Sequence, residues 1–392
     1  MRRTEILQGY RMMRFEEAYG GWRKGRLTQD EAAALIGLSG RSFRRHMVRY
    51  EAEGMQGLAD RRLGQVSHRR APVDEVAALA DLYRNRYSGY SARHFYSWYR
   101  RAHEGRRSYT WVKSGLQEEG LVTRGSRKGT HRKQRPRAPY AGMMLHQDGS
   151  THEWAEGKRW DLIVTMDDAT GEHYSMFFVE EEGTASSFRG VGEVIKLKGL
   201  FASLYTDRGS HYWYTPEAGG KVDKERLTQF GRAMRGLGIE MIPAYSPEAR
   251  GRSERAFRTH QDRLVKELAS KGIVEMQEAN RYLAEVYQPA HNAEFAVRPA
   301  EEADMFVAWE GGELRDILCE QHERTVGNDN CVRFEGLTLQ IPADRYRCHY
   351  VRVKVRVHRY PNGSLAVFHG PRRLADYDMK GRLAEKAKQK AA

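Results

Sequence analysis

The stretch SLYTDRGSHYW, residues 203–213, ends a short apolar run on Asp207 and follows it with Arg208, Gly209 and Ser210. A strand that stops on an aspartate and turns on a glycine presents its carboxylate to a metal, to a helix N-terminus, or to water. Outward from it lie a helix over 184–197 before the run and a helix ending at Gly238 after it. IEMIPAYSP then supplies a further strand, and EARGRSERAFRTHQDRLVKELASKG a long basic-faced helix ending at Gly272. Upstream, MMLHQDGSTHEWA, WDLIVTMDDATG and EHYSMFFVEEEG read as three strands in a row. The first bears Asp148 and turns. Three consecutive strands followed by alternating helix and strand predict a mixed sheet with helices on its faces.

Either side of this core the charge changes sign. The chain of 392 residues has a net charge of +14, distributed as +16 over residues 1–140, −11 over 141–330 and +9 over 331–392. A basic–acidic–basic layout suits a protein that grips a polyanion at both ends and keeps carboxylates in the middle for another task. There is no apolar run long enough to span a bilayer and no signal-peptide pattern at MRRTEILQGY, so a cytoplasmic protein is expected. Cys319, Cys331 and Cys348 lie far apart without a CxxC pair, which predicts reduced thiols.

In the basic N-terminal part, Thr28 and Glu31 form a capping box that starts one helix, and the turn Gly37–Gly40 leads to a second over about 40–53. Phe43, Met47 and Tyr50 share one face, leaving Arg41, Ser42, Arg44, Arg45 and Arg49 toward solvent. Two short helices with a basic second member read as a helix-turn-helix, or as an αα-hairpin with a solvated basic face. A polar linker (61–72) precedes a second helical unit (73–122) with helices at VDEVAALADLYRNRY, SARHFYSWYRRAH and SYTWVKSGLQEEG. Phe95, Tyr96, Trp98 and Tyr99 read as its core. TRGSRKGTHRKQRPRAP (123–139) has seven basic residues and no acid. Such a segment extends along phosphates or stays solvated as a linker.

Toward the C-terminus, HYVRVKVRVHRYPNGSLAVFHG alternates. Val351, Val353, Val355 and Val357 share one face, and Arg352, Lys354, Arg356 and His358 the other. This predicts a half-buried strand with a basic wet face, turned into a hairpin at Pro361–Gly363 within a small β-barrel.

Three acids stand out: Asp148 on the first core strand, Asp207 on the fourth, and Glu254 one turn into the last helix. Carboxylates from two neighbouring strands and a packed helix can converge on divalent cations, and their hard oxygens suit Mg²⁺. Each also has a purely structural reading. A strand-end acid caps a turn, and Glu254 can pair with Arg250 or Arg258. Asp161, Asp167, Asp168 and Glu248 are rival acids. Asp167 and Asp168 sit in a hairpin turn, where Asp bonds locally. Glu248, beside Pro247, complements a helix N-terminus.

The motifs HQDGS, YTDRGSH and AYSPEARGRSERAFRTHQDRLVKEL resemble those of the DDE transposases and retroviral-type integrases, and the chain is most similar to the ISNCY-type group of bacterial insertion-sequence enzymes. The resemblance implies a multidomain α+β protein with N-terminal helix-turn-helix units and a ribonuclease-H-like mixed α/β core, closed by a C-terminal small β-barrel. The expected segments are 1–60 (helix-turn-helix), 61–72 (linker), 73–122 (second helical DNA-binding unit), 123–140 (basic linker), 141–300 (catalytic core), 301–323 (connector), 324–378 (barrel) and 379–392 (basic tail). It implies that Asp148, Asp207 and Glu254 hold two Mg²⁺ ions, for which Mn²⁺ can substitute. The enzyme would bind its element's ends, cleave the phosphodiester there and join the 3′-hydroxyl to target DNA as a homodimer or larger assembly. Expected DNA contacts are Arg41, Ser42, Arg44, Arg45 and Arg49, with Arg250, Arg252 and Arg258 beside the site. The alternative is a non-catalytic DNA-binding regulator built on an inactive core.

Two departures from the family pattern stand out. Asp207 and Glu254 are 46 residues apart, longer than in compact members, so HYWYTPEAGGKVDKERL (211–227) is expected to loop out. Two turns after the glutamate, Gln261 stands where many members carry a basic residue.

Overall fold

The computed structural model describes residues 3–60, 71–125, 135–217, 220–245 and 251–384. Arg250 and Glu248, most of the 61–72 linker, much of the 123–140 linker and the end of the basic tail lie outside the described residues.

Contacts divide the chain into Met1–Ala78 and Leu79–Ala392. In the first unit, α1 (Arg3–Arg23), α2 (Gln29–Leu35) and α3 (Gly40–Glu53) pack around Phe15, Tyr19, Ala32, Ala33, Phe43 and Met47. Thr28 caps α2 through the capping box with Glu31, and Ser39 caps α3 by accepting from the Ser42 N–H. Burial of Phe43 and Met47 turns Arg41, Arg44, Arg45 and Arg49 outward, and all four are exposed. Helix α4 (Val73–Arg86) spans the boundary of the two units.

In the second unit, α5 (Ala92–Ala102) and α6 (Tyr109–Glu118) enclose Leu79, Tyr83, Phe95, Val112 and Leu116. Phe95 is fully buried and Tyr96, Trp98 and Tyr99 pack around this core. The central sheet is built from β1 (Met144–Ala155), β2 (Lys158–Asp167), β3 (His173–Val179), β4 (Ser203–Thr206) and β5 (Glu240–Pro243). Its order is β3-β2-β1-β4-β5. The first three strands pair antiparallel, and β4 and β5 run parallel to β1. This order fits the ribonuclease-H-like core that the resemblance implies.

Helices cover both faces of the sheet. On one, α7 (Thr184–Leu197) and α8 (Gln229–Leu237) pack with Leu145, Tyr174 and Leu204. On the other, α9 (Gly251–Ser270), α10 (Met276–Tyr282) and a π-helical turn Leu283–Tyr287 that leads into α11 (Gln288–Phe295) cover Trp154, Leu162, Val164, Met166 and Phe178. Among the described residues no helix is long and apolar enough to cross a membrane.

Several expectations are corrected. Strand β1 does not end at Asp148 but continues to Ala155, with Asp148 paired to Val164 in its middle. Gly149 makes no turn. A Cβ there would lie 2.2 Å from Glu182 Oε2, so the glycine admits that carboxylate against the strand. The 211–227 segment does not loop out as a whole. Tyr212, Trp213 and Val222 are buried in the core beneath α7 and α8.

The C-terminal part contains no closed barrel among the described residues. It has an open four-stranded antiparallel sheet, β6 (Glu320–Thr325), β9 (Lys354–Arg359), β10 (Leu365–His369) and β11 (Arg372–Tyr377), and a separate hairpin of β7 (Cys331–Phe334) and β8 (Leu337–Gln340). The two share a core in which Val332, Phe334 and Leu339 meet Val355, Val357, Leu365 and Val367. Strand β9 begins only at Lys354, because Arg352 sits at φ 62° in a turn. His358 is not on a wet face. It is 3% exposed and stacks on Phe368, with ring centroids 4.0 Å apart. The expected basic face therefore stops at Arg356, because the far face of the sheet is also covered.

Candidate active site

Side-chain parity along β1 decides which residues look toward α9. Leu145 and Gln147 face α7: Leu145 lies in the α7–α8 core, and Gln147 Nε2 donates to the Ser187 carbonyl and to Thr165 Oγ1. The alternate residues His146, Asp148 and Ser150 therefore face α9. Two contacts fix that helix against the strand. Arg252 Nη1 donates to Asp168 Oδ1 (2.6 Å), and the same oxygen contacts His146 Nε2 (2.7 Å). Further along, Gln261 Nε2 donates to Ser150 Oγ at 3.1 Å. Asp148 lies between His146 and Ser150, and Glu254 lies between Arg252 and Gln261 on the Gln261 side of the helix, seven residues apart being nearly two full turns. Asp148 therefore lies on the face of β1 that α9 covers, and Glu254 lies on the flank of α9 that carries Gln261.

Asp207 joins from β4. The parallel register pairs Leu145 with Leu204 and His146 with Tyr205, so Asp207, two beyond Tyr205, is level with Asp148, two beyond His146. Its Oδ1 accepts the Gly209 N–H at 2.8 Å, which ties the acid to the turn that follows β4. Asp148 Oδ1 accepts the N–H of Gly149 at 3.1 Å.

Glu254 is exposed and Asp148 is 7% exposed. The ligand oxygens of Asp148, Asp207 and Glu254 do not form a cluster within 4.8 Å; among the described residues only His173, His260 and His291 do so. Asp148 lies on β1, Asp207 just after the neighbouring β4, and Glu254 on the helix that packs against β1, without the three being drawn together. As a donor set they are all carboxylate oxygen, which fits a hard divalent cation such as Mg²⁺.

Two neighbours of the site were not singled out in the sequence. Glu182 lies against Gly149, and its Oε1 is 3.5 Å from His211 Nε2. Tyr212 is fully buried and donates to Gln147 Oε1. Burial first, then the charges of Glu182, Asp148 and Asp207, hold its phenol well above its usual range, so it stays neutral. The run of glutamates before α7 was a signal for Glu182, but nothing local indicates that it folds back onto β1.

The rival acids have structural partners. Asp167 accepts from the Thr170 and Gly142 N–H groups. Asp168 accepts from the Ala138 N–H, Arg135, Arg252 and His146. Burial opposes its ionisation, but those donors and charges prevail and hold it at about 2. Asp161 Oδ2 accepts the Glu182 N–H at 2.7 Å. Of the expected DNA contacts near the site, Arg258 is exposed, whereas Arg252 is committed to Asp168 and to the Arg135 carbonyl. Ser42 shares the cap of α3, with its Oγ 3.0 Å from Ser39 Oγ.

The chain is similar to proteins named as transposases. "Putative transposase y4bF" of Sinorhizobium fredii is 31% identical over 351 residues, covering 88% of this chain and 75% of that protein. The chain belongs to the transposases. The transposase for insertion sequence IS1202 of Streptococcus pneumoniae is 29% identical over 206 residues, which cover 52% of this chain and 43% of that one. No family model matches. Among solved structures, the simian T-cell lymphotropic virus intasome in complex with PP2A regulatory subunit B56 gamma covers 71% of this chain at 13% identity, with a TM-score of 0.34. The HTLV-2 integrase catalytic core in complex with magnesium (trimeric form) covers 38% at 16% identity, with a TM-score of 0.29.

Proposed function

We propose that this transposase is a DDE-type polynucleotidyl transferase that cleaves the phosphodiester at the ends of its insertion sequence and joins the freed 3′-hydroxyl to target DNA. The observation that carries this reading is the seam between β1 and α9, bracketed by Arg252–Asp168–His146 at one end and Gln261–Ser150 at the other. It supports the reading in that Asp148 is on the strand face covered by the helix that carries Glu254, while Asp207 follows the neighbouring strand β4. These three carboxylates would hold two Mg²⁺ ions, with Mn²⁺ a possible replacement. The ions, when bound, supply an activated water or 3′-hydroxyl and a stabilised leaving oxygen. The chain's own part is positional. Gly209 orients Asp207, Gly149 admits Glu182 against β1, and Arg258 offers a cation to phosphate one turn beyond Glu254.

End binding belongs, in this reading, to residues 1–140. Helix α3, with its exposed Arg41, Arg44, Arg45 and Arg49, acts as the second helix of a helix-turn-helix, Ser42 sits at its entry, and the 73–122 helices form a second binding unit. Arg250 would add to the basic entry of α9. Paired processing of two ends calls for a dimer or larger assembly on DNA. That the three carboxylates do not gather within 4.8 Å of one another favours the second reading, a regulator that binds DNA without cutting it.

Cleavage of a labelled duplex carrying the element's end, with Mg²⁺ or with EDTA, separates the two. Metal-dependent nicking that disappears in Asp207→Asn while DNA binding persists is the expected result. Binding without nicking under Mg²⁺ or Mn²⁺ would leave the regulator.

A further inference from the structure

Behind the carboxylate seam, on the buried side of α9, His173, His260 and His291 converge from β3, α9 and α11. Each is nearly or fully buried, and each offers one ring nitrogen within 4.8 Å of the other two. His173 Nδ1 lies 3.1 Å from the Gly171 carbonyl, so it carries the hydrogen and leaves Nε2 as a lone pair. That Nε2 is 3.0 Å from His260 Nε2, and His260 Nδ1 is 3.0 Å from the Tyr287 hydroxyl. The His291 ring stands 4.4 Å and 4.7 Å from the other two centroids, and its buried Nδ1 has no partner.

We propose that this trio is a second metal site, a three-histidine centre for Zn²⁺ or a similar borderline cation, distinct from the carboxylate site. Three neutral imidazoles are a nitrogen donor set that suits zinc and not Mg²⁺. Burial keeps the rings neutral and able to ligate: it pushes His173 down to about 4 and His291 to about 2. The two facing Nε2 atoms need to part only slightly, since Zn–N bonds of about 2.0–2.1 Å in a tetrahedron set nitrogens roughly 3.3 Å apart. On binding, His260 moves its hydrogen from Nε2 to Nδ1, and the Tyr287 hydroxyl changes from donor to acceptor. No proton leaves the site.

The surroundings are compatible with a cation. Arg263, the nearby positive charge, is neutralised by a two-pronged pair with Glu294 at 2.8 and 3.1 Å. A cavity of about 10 Å³ beside His291, lined also by Arg263, Tyr287 and Glu294, is at the lower limit for a single water. The π-helical turn that ends at Tyr287 sets the phase of α11 and so of His291, and such turns recur at functional sites. Bound there, the ion would pin the helix that carries Glu254 to β3 and α11.

The test uses the full chain purified without a polyhistidine tag, stripped with a chelator and titrated with Co²⁺ in Mg²⁺-free buffer. One equivalent should give the visible absorption of tetrahedral, nitrogen-ligated Co²⁺, displaceable by Zn²⁺, with Tm raised by at least about 2 °C. The signal should vanish in His291→Ala and in His291→Phe, which fills the same space without a ligand, and should survive in Asp148→Asn/Asp207→Asn. X-ray absorption of the zinc-loaded wild type should count three imidazoles. Absence of the one-equivalent signal in the wild type overturns the proposal whatever the variants do, as does a signal that persists in both His291 variants.

Discussion

Asp168 shows how a single carboxylate can organise the approach to a site without belonging to it. It is fully buried, and His146, Arg135, Arg252 and the Ala138 N–H converge on it. Its folded pKa of about 2 lies below the usual 3.8, so the folded state favours the ionised form. The resulting stability is present above pH 4 and is lost as pH falls from about 4 through 2. The size is about 2 kcal/mol. Asp168→Asn should therefore lower the urea midpoint at pH 7 and flatten its decline between pH 5 and pH 2. An unchanged acid limb would mean that other carboxylates govern it. At Asp207 the prediction is different in kind: Asp207→Asn should leave stability within about 0.5 kcal/mol, as for a partly exposed polar exchange, while removing metal-dependent nicking.

At the scale of elements, α7 approaches β1 closely. A Cβ on Gly190 would lie 2.3 Å from Gln147 Nε2 and 2.9 Å from Thr165 Oγ1. Gly190→Ala should cost about 1–3 kcal/mol in urea unfolding and shift the strand that carries Asp148. The docking of α5 on α9 offers another handle. His94 Nε2 is 2.8 Å from Glu267 Oε1, and Ser91 donates to Asp262. His94→Ala removes a buried partner and should destabilise by about 1–3 kcal/mol, read by the same unfolding curve.

Elements with local punctuation were legible in the sequence. The Thr28–Glu31 box, the left-handed Gly238 after α8 and the apolar runs of β2 and β3 each announce themselves within a few residues. Helix α1 was not legible, because its buried Phe15, Ala18 and Tyr19 cover only part of a polar helix. The DGS triplet after Gln147 has turn composition but strand geometry, since its glycine answers to Glu182, 33 residues further on. Asp148, Asp207 and Glu254 stand out by motif, but Asp148 lies in mid-strand and not at the strand end the sequence suggested. Glu182 and the histidine trio could not be picked out, because their partners are set by tertiary packing alone.

For the whole molecule, the division of charge has a measurable consequence. If α3 grips phosphate, Arg44→Ala and Arg45→Ala should each weaken end binding and reduce the slope of log K against log salt by about 1. Fluorescence anisotropy from low to moderate salt would read this, and an unchanged slope would place the contacts elsewhere. Stability should be nearly unaffected, since both side chains are exposed.

Helix α9 touches more of the molecule than any site argument requires. Along its 20 residues it meets β1 through Gln261, α5 through Asp262 and Glu267, β3 through His260 and α11 through Arg263. A rod about 30 Å long clamped at so many points has little freedom to bend. The same clamps oppose its rotation, so the backbone that carries Glu254 is set by the packing of four other elements and not by the acid's own contacts.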